Sequence, residues 1–319
     1  MTAPAGDLVL GPVAVVGAGV IGNGWTAYLL GHGLEVAVYD PDPAAEHRLR
    51  DDLDVALAAL GSLGLEVDDW ENRLRFTDTI AESVEAAAFV QENGPEREDL
   101  KSQLLRELDE ATRPDVVIAS SSSGMVPSQL AAMCPHHPER LVVGHPFNPV
   151  YLMPLVEVVA APGTPAATVD TAIEFYRAIG KRPIHLQQEV PGHLANRLQA
   201  ALWREAYSLV ERGIASVADI DAAISHGPGL RWALLGPLAN QHLSGGAGGL
   251  AHVLDHLGPP TQRWMDDLGA PQLTPELAKA LVAGVEDELK GVDVAAMVAQ
   301  RDALLITLLT AKSHASDLP

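Results

Sequence analysis

The sequence predicts an α/β protein in two parts: a parallel sheet flanked by helices over residues 1–190, and a mainly helical domain over residues 191–319. Three observations carry this prediction. An apolar run, Val13-Ala14-Val15-Val16, breaks into a glycine-rich turn that leads to a helical stretch and a second apolar run. Short β-branched segments then recur with helical stretches between some of them. After Pro191-Gly192 the pattern changes to long runs with helical period.

Taken in order, Val13–Val16 is the first strand, Trp25 to Leu30 continues the helix behind the glycines, and Glu35 to Asp40 is the second strand. The span from Asp40 to Ala88 exceeds an ordinary crossover, so a helical excursion is expected there, over about Ala44 to Trp70. Ala88-Phe89-Val90, Asp115 to Ala119 and Leu141-Val142-Val143 are further strands. Pro154 to Val159 and Arg182 to Leu186 add two more, with a helix over Ala167 to Ile179 between them. In the second part Leu198, Ala201, Leu202, Ala206, Leu209 and Val210 return to one helical face. Asp219 to Ile224 forms another helix ending near Gly227-Pro228-Gly229, and glycines at 245, 246, 248 and 249 mark a turn. Thr274-Pro275-Glu276 is a helix start, with Thr as N-cap and Pro at the first helical position.

A chain of 319 residues accommodates two domains. Aromatics make up only 4% of it, so Ala, Leu and Val must build most of the core. Lys plus Arg total 21 against 42 Asp plus Glu, which argues against a nucleic-acid groove or an anionic membrane surface as partner. Cys134 is the single cysteine, which excludes an intramolecular disulfide framework; it reads as a small buried hydrophobe. The opening MTAPAGDLVL lacks a basic region and a long apolar run, and no uninterrupted apolar stretch approaches the roughly 18 residues of a membrane span. A cytoplasmic protein is therefore expected. His136-His137 and the scattered His226, His242, His252 and His256 lack ligand spacing, so no metal is expected.

Gly17, Gly19 and Gly22 form G-x-G-x-x-G directly after a strand and at the opening of a helix. The first glycine permits the tight turn, the second lets the backbone approach a pyrophosphate, and the third permits close helix–strand packing. This context makes the first domain Rossmann-like and assigns Gly17, Gly19, Val20, Ile21 and Gly22 to a dinucleotide. Asp40 ends the second strand, where a carboxylate accepts hydrogen bonds from ribose hydroxyls; the alternative is a surface turn residue before proline. Pro41-Asp42-Pro43 supplies no cation for a 2'-phosphate, so NAD is expected rather than NADP. Ser120 to Gly124 and Gly144 to Pro149 stand just beyond strand ends, where open α/β sheets place ligands. A histidine there, His145, suits removal of an alcohol proton, because imidazole titrates near neutrality; a loop histidine capping a strand is the alternative. Glu157 lies among Leu155, Val156, Val158 and Val159, where a carboxylate is costly without a partner, and an imidazole is a suitable one. An exposed edge-strand glutamate is the competing reading.

These residues resemble the 3-hydroxyacyl-CoA dehydrogenase superfamily over nearly the whole chain, and look nearest to its short-substrate branch. The resemblance implies that Ser123, His145 of H-x-F-N-P, Glu157 and Asn196 of Pro191-Gly192-His193-Leu194-Ala195-Asn196-Arg197 form the catalytic set. His193 stands where the family usually has phenylalanine. The resemblance also places Glu92, Glu96 and Lys101 near the nicotinamide, although by residue type Glu96 and Lys101 read as a solvated helix start. A Gly-x-Arg-aromatic segment, Gly229 to Trp232, looks like the small-acid branch: Arg231 would pair with a substrate carboxylate, and Trp232 would offer a face to a cation. Asp51, Asp52, Asp54, Glu66, Asp68 and Asp69 occupy the excursion where acyl-CoA members often carry basic residues, and its cations are mainly Arg48, Arg50 and Arg73. The expected reaction is NAD-dependent oxidation of a small 3-hydroxy acid by a homodimer. L-carnitine is the leading substrate; L-gulonate or a short 3-hydroxyacyl-CoA are the alternatives. A crystallin-like structural role or a cofactor-binding regulator is the alternative from another class.

Overall fold

A computed structural model describes residues 10–65 and 67–318. Residues 1–9, most of the segment read for a secretory signal, lie outside the described residues, as do Glu66 of the acidic excursion and Pro319. The chain divides into two units, one reaching Arg197 and the other starting at Leu198. Residues 191–197, past the expected boundary, stay with the first unit, where the Leu194 and Ala195 N–H groups bind Glu157.

The first unit runs β1 (Val13–Val16), α1 (Val20–Gly31), β2 (Val36–Tyr39), α2 (Ala45–Ser62), β3 (Leu74–Thr77), α3 (Ile80–Val84), β4 (Phe89–Glu92) and α4 (Glu98–Ala111). It continues with β5 (Val117–Ser120), α5 (Pro127–Ala131), β6 (Leu141–Pro146), β7 (Leu155–Ala160), α6 (Ala166–Ala178) and β8 (Arg182–Leu186). The strands make one sheet in the order β3-β2-β1-β4-β5-β6-β7-β8. Its order reverses beside β1, which opens a crevice at the carboxyl ends of β1 and β4. Strand periodicity of two sorts the core into two layers: Val13 and Val15 face α1, α2 and α6, whereas Ala14 and Val16 face α3, α4 and α5. Cys134 is buried in the second layer, and desolvation, with Asp109 adding to it, pushes its thiol up to about 12.

Two expectations need correction. The excursion is not helical to Trp70: α2 stops at Ser62, the chain turns at Gly64 (φ +85°), and β3 pairs with β2 as an edge strand. Leu74 and Phe76 pack inward while Arg75 is exposed, an alternation too short to stand out beside the long α2 pattern. The sheet is also not wholly parallel. β6 and β7 are antiparallel, because the Phe147–Pro154 connection is shorter than the roughly dozen residues a parallel crossover needs.

The second unit takes in the rest of α7 (Ala195–Glu211), then α8 (Val217–Ser225), α9 (Pro228–Trp232), α10 (Pro237–Ser244), α11 (Gly249–Asp267), α12 (Pro275–Glu288) and α13 (Val294–Ser313). Thr274 caps α12 as its sequence predicts, accepting from the Leu277 N–H at 3.2 Å. Among the described residues of this unit only Ser208, Gly249 and Leu277 are buried. α13 is long and apolar enough to cross a membrane by length and composition. The sequence reading missed it because Arg301 and Asp302 interrupt the run without lowering its mean below that threshold.

Candidate active site

β1 delivers the glycine turn to the sheet crevice. Gly17 sits at φ +98°, and a Cβ there would lie 2.8 Å from the Asn93 backbone. At Gly22 a Cβ would lie 1.8 Å from the Gly17 carbonyl oxygen, so both glycines are fixed by the turn itself. Gly19 differs: nothing comes within 4 Å of where its Cβ would stand. It is the N-cap of α1 and offers no side-chain cap to the first-turn N–H groups, those of Val20 and Ile21 among them. An open cradle over uncapped N–H donors fits a dinucleotide pyrophosphate. Asp40 braces this turn, its Oδ2 accepting from Ala18 N–H at 2.7 Å and its Oδ1 from Asp42 N–H at 2.9 Å. A carboxylate in this position retains lone pairs for ribose hydroxyls. Arg48, one of the cations of the excursion, folds back on Asp42 at 2.7 Å and is already paired.

His145 and Glu157 are direct cross-strand partners in the β6–β7 ladder, and His145 Nδ1 lies 2.8 Å from Glu157 Oε2. Both are buried, which removes the readings of a loop histidine and an exposed edge glutamate. Glu157 Oε1 accepts from Leu194 N–H at 3.0 Å and Ala195 N–H at 2.8 Å. Burial works to raise the Glu157 carboxyl, but the bonds from His145, Ala195 and Leu194 outweigh it and hold the group below the ordinary glutamate range. A carboxylate at Nδ1 requires the proton on that nitrogen, which leaves the Nε2 lone pair free.

Beyond β5, the Ser122–Ser123 turn is pinned by Glu96, which accepts from Ser123 N–H at 2.7 Å and Ser122 Oγ at 3.1 Å. Asn196 Nδ2 reaches the Ser123 carbonyl at 3.5 Å, the outer limit of a hydrogen bond. The Ser123 hydroxyl has no partner among the described residues. One cluster of the first unit thus gathers Ser123, His145, Glu157 and Asn196. Arg231 and Trp232 lie on α9 of the second unit, and the cluster forms without them. The Arg231 guanidinium makes no hydrogen bond or ion pair among the described residues, and Trp232 is exposed.

Residues 12–190 match the NAD-binding domain of 3-hydroxyacyl-CoA dehydrogenase, and residues 192–287 match its C-terminal domain. The chain belongs to the 3-hydroxyacyl-CoA dehydrogenase family. It is 51% identical to an L-carnitine dehydrogenase of Streptomyces coelicolor over 94% of each chain. It is 44% identical to a 3-hydroxyacyl-CoA dehydrogenase of Gibberella moniliformis over 96% of each. Among solved structures, 5-formyl-3-hydroxy-2-methylpyridine 4-carboxylic acid 5-dehydrogenase, an NAD+-dependent dismutase, superposes with a TM-score of 0.83 at 31% identity. That match covers 96% of this chain and 99% of the other. As a 3-hydroxyacyl-CoA dehydrogenase family member, the chain is an NAD-dependent enzyme acting on a 3-hydroxy acid.

Within this family framework, Lys101 is not part of a solvated helix start. It is buried, 2.7 Å from Glu92 Oε1 and 2.7 Å from the Gly94 carbonyl. Glu92 in turn accepts from Gly94 N–H and Ser120 Oγ. The pair therefore holds the Asn93–Glu96 loop against β5, and the Lys101 ammonium is committed to that loop rather than turned to solvent. Glu96 is exposed but committed to the serine turn. Sequence reasoning left out Gln91, whose Nε2 donates to Ser121 Oγ at 2.9 Å and whose Oε1 accepts from Tyr176 at 2.7 Å. A polar residue in the apolar run Ala87 to Val90 and beyond is its one sequence signal.

Proposed function

We propose that this enzyme oxidises the 3-hydroxyl of L-carnitine to the 3-keto acid, 3-dehydrocarnitine. The observation that carries the chemistry is the buried His145–Glu157 pair, whose Nδ1 bond leaves the Nε2 lone pair unengaged. His145 Nε2 takes the hydroxyl proton while the C3 carbinol hydrogen leaves as hydride and the carbonyl forms. When bound, NAD supplies the hydride acceptor. Glu157 holds the Nδ1–H and stabilises the imidazolium that results. Ser123 and Asn196 hydrogen-bond to the reacting oxygen and fix its geometry. Gly17, Gly19, Val20, Ile21, Gly22 and Asp40 hold the dinucleotide.

The substrate assignment draws on the carnitine-oxidising relatives and on charge. Around α2, Arg48 is paired with Asp42, Arg50 with Glu46, and Arg73 with the Leu30 and Asp68 carbonyls. Arg48 and Arg50 are thus each engaged by a carboxylate, which disfavours the phosphates of a CoA thioester there and favours a free acid. Arg231, unpaired among the described residues, is the carboxylate anchor, with Trp232 beside it for the trimethylammonium group. The large exposed apolar residues of the second unit, Leu304, Trp264, Leu238 and Leu243 among them, support a homodimer. Arg301 and Asp302 in the middle of α13 are costly at a bilayer centre, so a protein partner suits this helix better than lipid, in a cytoplasmic enzyme.

NADH formation with L-carnitine, L-gulonate, 3-hydroxybutyrate and 3-hydroxybutyryl-CoA tests this reading. L-carnitine should give the highest kcat/KM, and Arg231→Met should lower that value through KM by about 2–4 kcal/mol. Preference for the thioester, or an unchanged KM in an Arg231→Met protein of native mass, overturns the assignment.

A further inference from the structure

His193 stands out within the first unit. It is fully buried, it is one of two described non-glycine residues with left-handed backbone (φ +50°), and its ring centre lies 5.3 Å from that of His145. Its Nε2 is 3.0 Å from the Ser122 carbonyl, so that nitrogen carries the proton and Nδ1 carries a lone pair. Nδ1 is buried and has no hydrogen-bond partner. A left-handed backbone and an unpaired buried nitrogen are both unfavourable, and a phenyl ring would avoid the second.

The bonds around His193 run in series from the acid–base pair to the serine turn. Glu157 binds His145 with one oxygen and the Leu194 and Ala195 N–H groups with the other. His193, the residue before Leu194, then donates to the Ser122 carbonyl, one peptide from Ser123. Glu96 holds the same turn from the opposite side of the sequence. The His193 ring is the shorter of two side-chain links from this segment to the serine turn, 3.0 Å against 3.5 Å for Asn196.

We propose that His193 is a positioning residue of the dehydrogenation, a neutral imidazole that sets the place of the Ser123 hydroxyl relative to His145 through its bond to the Ser122 carbonyl. The charged and titratable groups facing it are consistent with a neutral ring. Burial lowers its protonation tendency most, the Ser122 carbonyl opposes this, and His145 adds to the lowering against weaker opposition from Glu157 and Glu96. The proposal concerns whichever 3-hydroxy acid the enzyme oxidises and does not depend on that acid being L-carnitine.

The test compares His193→Phe, which keeps ring volume without the donor, with His193→Gln, whose amide nitrogen can occupy the place of Nε2. Activity is read on the best substrate of the wild-type enzyme. His193→Phe should lower kcat about tenfold, within the range that an ångström-scale misplacement can cause. It should leave the NAD dissociation constant within about twofold, and the isotope effect with C3-deuterated substrate should rise. His193→Gln should recover most of the rate. Combined with Ser123→Ala, the Phe variant should add little further loss, because His193 acts through the contact of the Ser123 hydroxyl with the reacting oxygen. Wild-type kcat in His193→Phe, equal defects in Phe and Gln, or losses that multiply in the double variant overturn the proposal. Should the Phe variant fail to fold, nitrogen NMR of the wild-type imidazoles decides: a neutral His193 carrying its proton on Nε2 supports the proposal, and the Nδ1–H tautomer or a charged ring overturns it. Failure of L-carnitine in the substrate screen changes the assay substrate but none of these ratios.

Discussion

Glu157 serves different neighbours with its two oxygens, an imidazole on one side and two backbone N–H groups on the other. Its carboxyl is held below the ordinary range, so the folded state binds that proton less readily than the unfolded chain. The stabilisation is therefore complete above the ordinary glutamate value and is lost as pH falls through the lower folded value. Glu157→Gln should be less stable than wild type to urea at pH 7, with the gap narrowing as pH drops below about 4.5; a gap that widens in acid contradicts the pairing. The same variant should lose about tenfold or more in kcat. Glu157 and His145 were legible from sequence because an acid inside an apolar strand demands a partner, and a histidine stands at a nearby strand end. Lys101 was not: a lysine in the first turn of a charged helix looks solvated, and only the fold reveals Glu92 beside it. His193 was legible as a departure from the family pattern, but its bond to Ser122 spans 71 residues and leaves no local signal.

The turn between β1 and α1 separates structural glycines from a glycine that leaves room. Gly19→Ala meets no atom within 4 Å and has ordinary backbone angles, so it should unfold at the wild-type temperature while binding NAD about tenfold more weakly. Gly22→Ala drives a methyl into the Gly17 carbonyl and should lower the melting temperature itself. Paired thermal scans and fluorescence titrations with NAD check both; equal effects of the two substitutions on stability refute the distinction. Strands such as β1 were readable to the residue because an apolar β-branched run ends at a turn former, here Gly17. β3 was hidden by its brevity beside the long α2. The antiparallel direction of β7 follows from loop length, a geometric constraint that apolar runs alone do not express.

At the scale of the molecule, the two units differ in how they use apolar residues. The first builds two dense layers on either side of a sheet, whereas the second keeps only Ser208, Gly249 and Leu277 buried among its described residues. Light scattering should give a mass of twice 33.7 kDa, and Leu304→Glu on α13, where the leucine is 70% exposed, should shift it toward the single-chain value. An unchanged dimer in that variant places the interface elsewhere, and a monomeric wild type removes the dimer reading. The sparse burial in the second unit also bears on the laboratory bench. If a second copy supplies the missing cover, folding free energy becomes a function of dilution: the midpoint of unfolding climbs with protein concentration by mass action. Specific activity then falls at the nanomolar enzyme levels of a routine rate assay. Rates taken at two enzyme concentrations would report on assembly before any kinetic constant is interpreted.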